Sequence, residues 1–558
     1  LDAFQSNSLA ANEPIGKQDF MQLTSSKNDK LFLGFMLSVA LGFYAIFIYR
    51  SVFTINDEIY FSLIDDAMIS MRYAKHLANG HGFVWNIGEP PVQGFTNMGW
   101  TLYMALLHLL PLAESKMSLL VMISSALLLA GNAYFAYKLS KLLAPKSVIA
   151  PKIALIVTAF YFPLVFWSLR GMEVGLTTLL ILGLTAAAID SYKPISYRRS
   201  AVIGLLMMLA ILVRIDMIAQ VGLVLVYLLY RYGFKEKTGM AKLSPALLLL
   251  LTAVIGLPLF QYLYFGSVMP NTYTLKVEGV NVAIRIAVGL QAFVTHASRD
   301  LLALLFIVLI GLLMFRDLRS KEVMLLLGLF LVQCAYSIYV GGDYSDSLWG
   351  GWSVEAANRF ISQGMPFLIV LFSIVIERVL ASVDFTSGKK DYLSLNSYQS
   401  SLNLAVLIGL TVVMIISGEP WFEWTLYNAP GIDADAYKSG LGVLIRDHTD
   451  EDVVIAVHRA GRIPYFSNRT TVDLLGKNDP VIANGPPSPL APFLPGHNKW
   501  NYEYSIGELL PDIVVEDWGF LPEYMEQQTN YTRLADDIWI RNDSALIDVD
   551  GLTDVLEE

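Results

Sequence analysis

The sequence predicts a polytopic α-helical membrane protein, about 11 transmembrane helices followed by a C-terminal extracytoplasmic α/β domain. Three observations carry the membrane and domain parts of that prediction. Of the 558 residues, 55% are hydrophobic and 16% are charged, against about 45–50% and about 25% in soluble chains. The apolar residues fall in blocks, several reaching the roughly 17–25 residues a helix needs to cross a bilayer. Charge also divides along the chain: 25 acids and 9 bases from Gly418 onward, 24 acids and 30 bases before it. A split of this kind marks two compartments or two domains. The acidic C-terminal part argues against nucleic acid as a partner, because a phosphate backbone needs a basic surface. The one cysteine, Cys334, excludes an internal disulfide and a Cys-based zinc site.

Taken in order, residues 1–30 form a polar cytoplasmic tail, and no cleavable signal peptide is expected in them. Spans follow at about 31–48, 119–137, 153–169, 174–189, 201–213, 218–230, 247–265, 301–315, 323–340, 361–376 and 402–416. The apolar piece at 100–112, interrupted by Pro111, is too short to cross and reads as an interfacial helix. With that assignment 20 basic residues collect on one side of the membrane and ten on the other. Retained Lys and Arg mark the cytoplasm. The N-terminus is therefore expected inside a cytoplasmic (inner or plasma) membrane, with the domain at 418–558 outside. The transmembrane domain is 31–417, and its first external loop is 51–118. In the C-terminal part, β-branched runs at 453–457, 470–474, 512–516 and 538–540 alternate with turns, as in a small α/β domain. The Pro-rich segment 486–495 reads as a loop over the membrane face.

The polar residues of the outer loops point to chemistry. Asp65 and Asp66 adjoin, and Arg72 follows seven residues after the first, so Asp65, Ile69 and Arg72 are expected on one helix face. Gly80, Gly82, Gly88, Gly94 and Pro90-Pro91 then impose a shaped loop. Adjacent carboxylates suit base or nucleophilic work, because like charges push their pKa values apart. Arg72, Arg170, Arg214, Lys276 and Arg359 are the outer-face cations available to a phosphate, with Glu173, Asp216 and Asp343 as their structural partners. Trp85, Tyr344, Trp349 and Trp352 are candidates to stack on sugar rings. His76, His81, His458 and His497 have no metal-ligand spacing. Asp65, Asp66 or Asp343 leave room for a divalent cation without signalling one. A transporter or flippase of a lipid-linked or anionic solute is the alternative. It would place charges mid-span and show two related halves, and the sequence shows neither.

The run from Asp65 to Glu89, D-D-A-x-I-S-x-R-Y-A-x-x-L-x-x-G-x-G-x-V-x-N-x-G-E, continues to V-Q-G-F-T-N at 92–97. It resembles the first external loop of the GT-C superfamily, nearest to the mycobacterial terminal arabinofuranosyltransferases and their bacterial relatives. G-M-E at 171–173, R-I-D at 214–216, P-N-T at 270–272, G-G-D at 341–343, V-D-L-L-G at 472–476 and P-G-H-x-K at 495–499 extend the likeness. The resemblance implies a glycosyltransferase that takes arabinofuranose, or another pentose or hexose, from a polyprenyl-phosphate donor. The acceptor would be an extracytoplasmic glycan, lipid or protein. Asp65 or Asp66, with Asp65 preferred, would be the base or nucleophile. Arg72, Arg170, Glu173, Arg214, Asp216, Asn271, Lys276, Asp343 and Arg359 would serve donor phosphate and substrate. Gly82, Asn86, Gly94, Thr96 and Asn97 would shape the loop.

Overall fold

The computed structural model describes residues 27–190, 194–234, 237–343, 359–382, 398–427, 429, 431–489, 493–516 and 518–557. Each of the eleven apolar segments lies mostly on helix, with breaks at Tyr161 and at Gln363–Gly364. Seven described helices are long and apolar enough to cross a membrane: Lys27–Arg50, Glu114–Leu143, Ile215–Gly233, Gly239–Phe265, Lys321–Val340, Met365–Ser382 and Gln399–Leu426. Counting each of two bent pairs as one span makes nine. The expected eleven is thus not reached by length and composition, because the segments at 174–189, 201–213 and 301–315 lie on the shorter helices Val174–Ile189, Tyr197–Val213 and Leu301–Met314. The last span also runs on to Leu426, past the domain boundary expected at 417. The piece expected at the interface is the 11-residue helix Met98–His108, about 16 Å long and too short to cross.

One bent pair, Ala150–Phe160 and Phe162–Leu169, turns by 45° just before Pro163. A break inside an apolar bundle frees backbone groups that need partners. Here Tyr44 Oη donates to Ala159 O at 2.7 Å and Trp421 Nε1 to Phe160 O at 2.8 Å, while Ser417 Oγ accepts from Phe162 N at 3.1 Å. The second half-helix therefore emerges re-aimed, with Arg170 and Glu173 at its end.

Between the first span and the next lies the polar loop. It opens with an antiparallel hairpin, β1 (Val52–Ile55) and β2 (Glu58–Phe61), that the sequence reading did not anticipate. Asn56 and Asp57 at its tip have φ of 49° and 63°, the left-handed pair a two-residue hairpin needs. The helix Asp65–Ala78 follows. The C-terminal domain holds a five-stranded sheet, β3 (Val454–Val457), β4 (Thr470–Asp473), β5 (Ile513–Val515), β6 (Tyr531–Ala535) and β7 (Ile538–Arg541), in the order β4-β3-β5-β7-β6. β4, β3 and β5 are parallel, and β5, β7 and β6 antiparallel. β6 was not expected. The Pro-rich segment packs Pro487 against Gly279, and Phe493 and Pro495 against Gly341.

The helix Asp65–Ala78 is where the domain meets the bundle. Gly461 sits so close that a Cβ on it would lie 2.1 Å from Asp65 O. Gly461→Ala is therefore expected to push the domain off its seat and lower the thermal midpoint by several degrees, at about 1–3 kcal/mol. Gly440, mid-helix with open space around its Cα, is the control. Gly440→Ala should leave the midpoint unchanged or raise it, and equal melting of the two variants would refute the close approach.

Candidate active site

The two adjacent acids lead to different places, because consecutive helix positions are about 100° apart. Asp65 and Arg72 share a face, as their spacing requires, and that face docks onto the domain. Asp65 Oδ1 accepts from Arg462 N at 3.0 Å. Arg72 donates to Pro464 O, to Arg469 O at 2.9 Å, to Trp85 O at 2.9 Å and to Asn86 Oδ1 at 2.9 Å. Asp66, Ile69 and Ser70, on the other face, line a cavity of about 800 Å³ including its mouth. Asn97 and Gly94 from the loop, Arg214, Lys276, Asp343 and Arg359 from the bundle, and Lys477 and His497 from the domain also line it.

Several expectations are corrected by this geometry. Asp65, preferred as the reacting acid, is turned away from the cavity, and Ile69 shares the face of Asp66 instead. Arg72 has its donors spent on the loop and the domain and does not line this cavity. Arg170 is equally remote: it is buried and ion-paired to Asp435, which also binds Arg462. Glu173 and Asp216 do not line the cavity but hold Arg214, with Arg214 Nε 2.8 Å and Nη2 2.9 Å from the two Asp216 oxygens. Asn271 is off the lining as well; its backbone N donates to Gln93 O at 3.0 Å, and its helix neighbours Thr272, Tyr273 and Lys276 reach the cavity. Trp85 is buried beneath the Arg72 guanidinium at 4.6 Å, with Nε1 donating to Thr471 O, so it offers no face to a sugar. Tyr344, Trp349 and Trp352 lie outside the described residues.

The loop residues sit as follows. Gly82 passes under the Tyr264 hydroxyl, and Asn86 ties the loop to Thr471. Gly94, Thr96 and Asn97 form the cavity wall. Asn97 Nδ2 donates to Glu173 Oε2 at 2.8 Å, and Asn97 Oδ1 accepts from Ser70 Oγ at 3.0 Å.

Charge is organised around Asp66 and the Phe360 ring. Asp66 Oδ2 is 2.8 Å from Arg359 Nη1 and Oδ1 is 2.9 Å from Lys477 Nζ. Burial alone would raise the Asp66 carboxyl, but Lys477 and Arg359 outweigh it and hold the group well below the usual carboxylate range. Its side chain is 39% exposed, and the exposed part looks into the cavity. The Phe360 centroid lies 4.8 Å from Lys276 Nζ, 5.6 Å from Arg359 Cζ and 5.7 Å from Arg214 Cζ. Of these cations, Lys276 makes no hydrogen bond or ion pair to any described residue. Three cations gathered round one ring, one of them unspent, suit an anion.

His497 is pushed down to about 3 by burial, so it is neutral and its Nδ1–H donates to Pro495 O at 3.1 Å. Among the described residues no three His, Cys, Asp or Glu side chains gather as a metal would need. Both Asp66 oxygens are held by cations and Asp343 is shared with Arg359.

The sequence alone assigns no binding role to Lys477 or His497. They follow or fall within the V-D-L-L-G and P-G-H-x-K stretches, which was the signal available.

Solved structures are similar to this chain in fold. The crystal structure of ArnT from Cupriavidus metallidurans in the apo state matches with a TM-score of 0.55 at 11% identity, over 92% of this chain and 98% of that one. The same protein bound to undecaprenyl phosphate matches with a TM-score of 0.54 at 12% identity over the same shares. The chain has the GT-C fold. Residues 430–543 match a family model described as a domain of unknown function (DUF8728). No curated protein matches the chain.

Proposed function

We propose that the chain is a membrane glycosyltransferase that moves a sugar from a polyprenyl-phosphate donor to an acceptor hydroxyl, with Asp66 as its reacting carboxylate. The observation that carries this reading is the cavity itself. Among the described residues it presents Asp66, the more exposed of its two acids, beside an unspent ammonium, Lys276, and two guanidinium groups. Its fold is shared with a protein crystallised with undecaprenyl phosphate. The donor phosphate would seat between Lys276 and Arg359, whose charges stabilise it as it leaves, and the sugar would lie toward Asp66 and Asn97. The C1–O bond to phosphate breaks and the acceptor oxygen bonds to C1. The acceptor proton passes to Asp66 and then to water.

A carboxylate clamped by two cations is a weak base. Donor phosphate competes for Arg359, and that competition raises the proton affinity of Asp66 once the donor is bound. The sugar, arabinofuranose or another pentose or hexose, and the acceptor, a glycan, lipid or protein, belong to this proposal. So does a placement with the domain on the outer face of the cytoplasmic membrane.

The anomeric outcome separates the two roles of Asp66. Inversion of configuration assigns it as base. Retention assigns it as nucleophile, with a covalent glycosyl adduct on Asp66 detectable by mass spectrometry of the quenched enzyme. Retention with no adduct, or an adduct on another residue, would remove Asp66 from the reaction. The test of the reading as a whole is sugar transfer from polyprenyl-phosphate sugars by the purified chain. Absence of transfer with every pentosyl and hexosyl donor offered would overturn it.

A further inference from the structure

We propose that the domain at 430–543 completes the donor site: its turn Asp473–Asn478 presents Lys477 as a ligand of the donor phosphate, and Asp473 is the residue that positions it. This rests on the polyprenyl-phosphate reading and goes beyond it, since that reading needs only the bundle's own cations.

Three sets of contacts carry the inference. Lys477 crosses the seam between domain and bundle to reach Asp66 at 2.9 Å, yet its ammonium has three protons and is not exhausted by one carboxylate. The turn behind it is fixed by a buried acid: Asp473 Oδ1 accepts from Leu475 N at 3.0 Å and Gly476 N at 3.1 Å, and Oδ2 from Asn478 N at 2.8 Å and Nδ2 at 2.9 Å. An amide in place of Asp473 would offer one acceptor oxygen and present an NH2 to donors. The turn is also pressed onto the loop that walls the cavity. Asn478 Oδ1 accepts from Tyr73 Oη at 3.0 Å, and a Cβ on Gly94 would lie 1.8 Å from that same oxygen. From the same domain, Gly496 closes over the Lys276 side chain, a Cβ there falling 3.5 Å from Lys276 Cε. The domain is thus built into the cavity wall, and the charge it contributes faces the carboxylate at the centre.

The groups facing Asp473 are Lys477 and Asn478 of its own turn and Tyr73 from the helix beneath. Burial pushes the Asp473 carboxyl up to about 6, against the pull of Lys477 and the N–H donors. Protonation near that pH removes an acceptor from the turn, so the hold on Lys477 loosens as pH falls through about 6.

The experiment measures undecaprenyl phosphate binding to the purified full chain in nanodiscs, with thermal midpoints recorded alongside. Lys477→Met is expected to weaken binding about 10- to 100-fold, and Lys477→Arg to stay within a few-fold of the native chain. Asp66→Asn, which frees Lys477 from its present partner, should bind as well or better. Asp473→Asn should weaken binding at pH 7.5 and show a smaller further loss below about pH 6 than the native chain, since protonation of the phosphate monoester itself near that pH is common to both.

Native affinity in Lys477→Met would overturn the inference. So would equal loss in Lys477→Arg and Asp66→Asn, which marks a merely structural pair. If undecaprenyl phosphate binds the native chain with the expected dependence on Lys477 but no sugar is transferred, the donor site stands and the transferase reading falls. If transfer proceeds and Lys477→Met binds normally, only the role given to the domain falls.

Discussion

Asp66→Asn is expected to lower sugar transfer by about 10²–10⁴-fold, the range a positioned acid–base group contributes, whereas Asp65→Asn should keep most of the activity. The two substitutions remove the same atoms one residue apart, so the contrast isolates the cavity. Asp66 looks into it between Arg359 and Lys477, while Asp65 is spent on the Arg462 amide at the domain seam. Asp65→Asn keeps an oxygen for that amide, and its expected effect is a small loss of stability. Initial rates with a polyprenyl-phosphate sugar check both. Full activity in Asp66→Asn, or a larger loss in Asp65→Asn, would reverse the assignment. The sign of the pH effect follows from the depressed Asp66 value. Stability from its ion pairs is present above the unfolded carboxylate value, and it is lost only as pH falls through the lower folded one. Asp473, pushed up to about 6 by burial, is expected to contribute to any acidic limb near that pH in the rate, and that contribution should vanish in Asp473→Asn.

The second large effect is structural. Asp435→Ala is expected to destabilise the chain by about 3–5 kcal/mol, the cost of breaking a buried ion pair from one side. Asp435 lies between Arg170 of the bundle and Arg462 of the domain, all three side chains no more than 3% exposed. Arg170 Nε and Nη1 and Arg462 Nε already lack partners. Removing the acid leaves two guanidinium groups facing each other with nothing between them. Thermal unfolding and limited proteolysis of the full chain read the result: a lower midpoint and earlier cleavage between bundle and domain. An unchanged midpoint would show that the seam does not depend on this acid.

How much of this was legible in the chain differs by level. The long apolar helices were, as blocks of Leu, Ile and Val, though seven to nine of the described helices and not eleven are long enough to cross a membrane, and the strand at 454–457 was, as a β-branched run. β6 was not: Tyr531–Ala535 buries only Tyr531 fully and carries an exposed Arg533, so it shows neither an apolar run nor clean alternation. The Asp65–Arg72 spacing correctly put both on one face, but a periodicity cannot say what that face meets. It met a domain nearly 400 residues away in sequence, at Arg462 and Pro464. Lys477 was hidden for the same reason. Arg170 was read as a phosphate ligand because its partner Asp435 lies in the other domain, and no local pattern joins them.

The most direct measurement is a density map of the full chain with undecaprenyl phosphate bound. The phosphate is expected within hydrogen-bonding reach of Lys276 and Arg359, on the Phe360 side of the cavity, with Asp66 facing the space a sugar would fill. A phosphate seated elsewhere on the bundle, with Asp66 still clamped and walled off from it, would contradict the account.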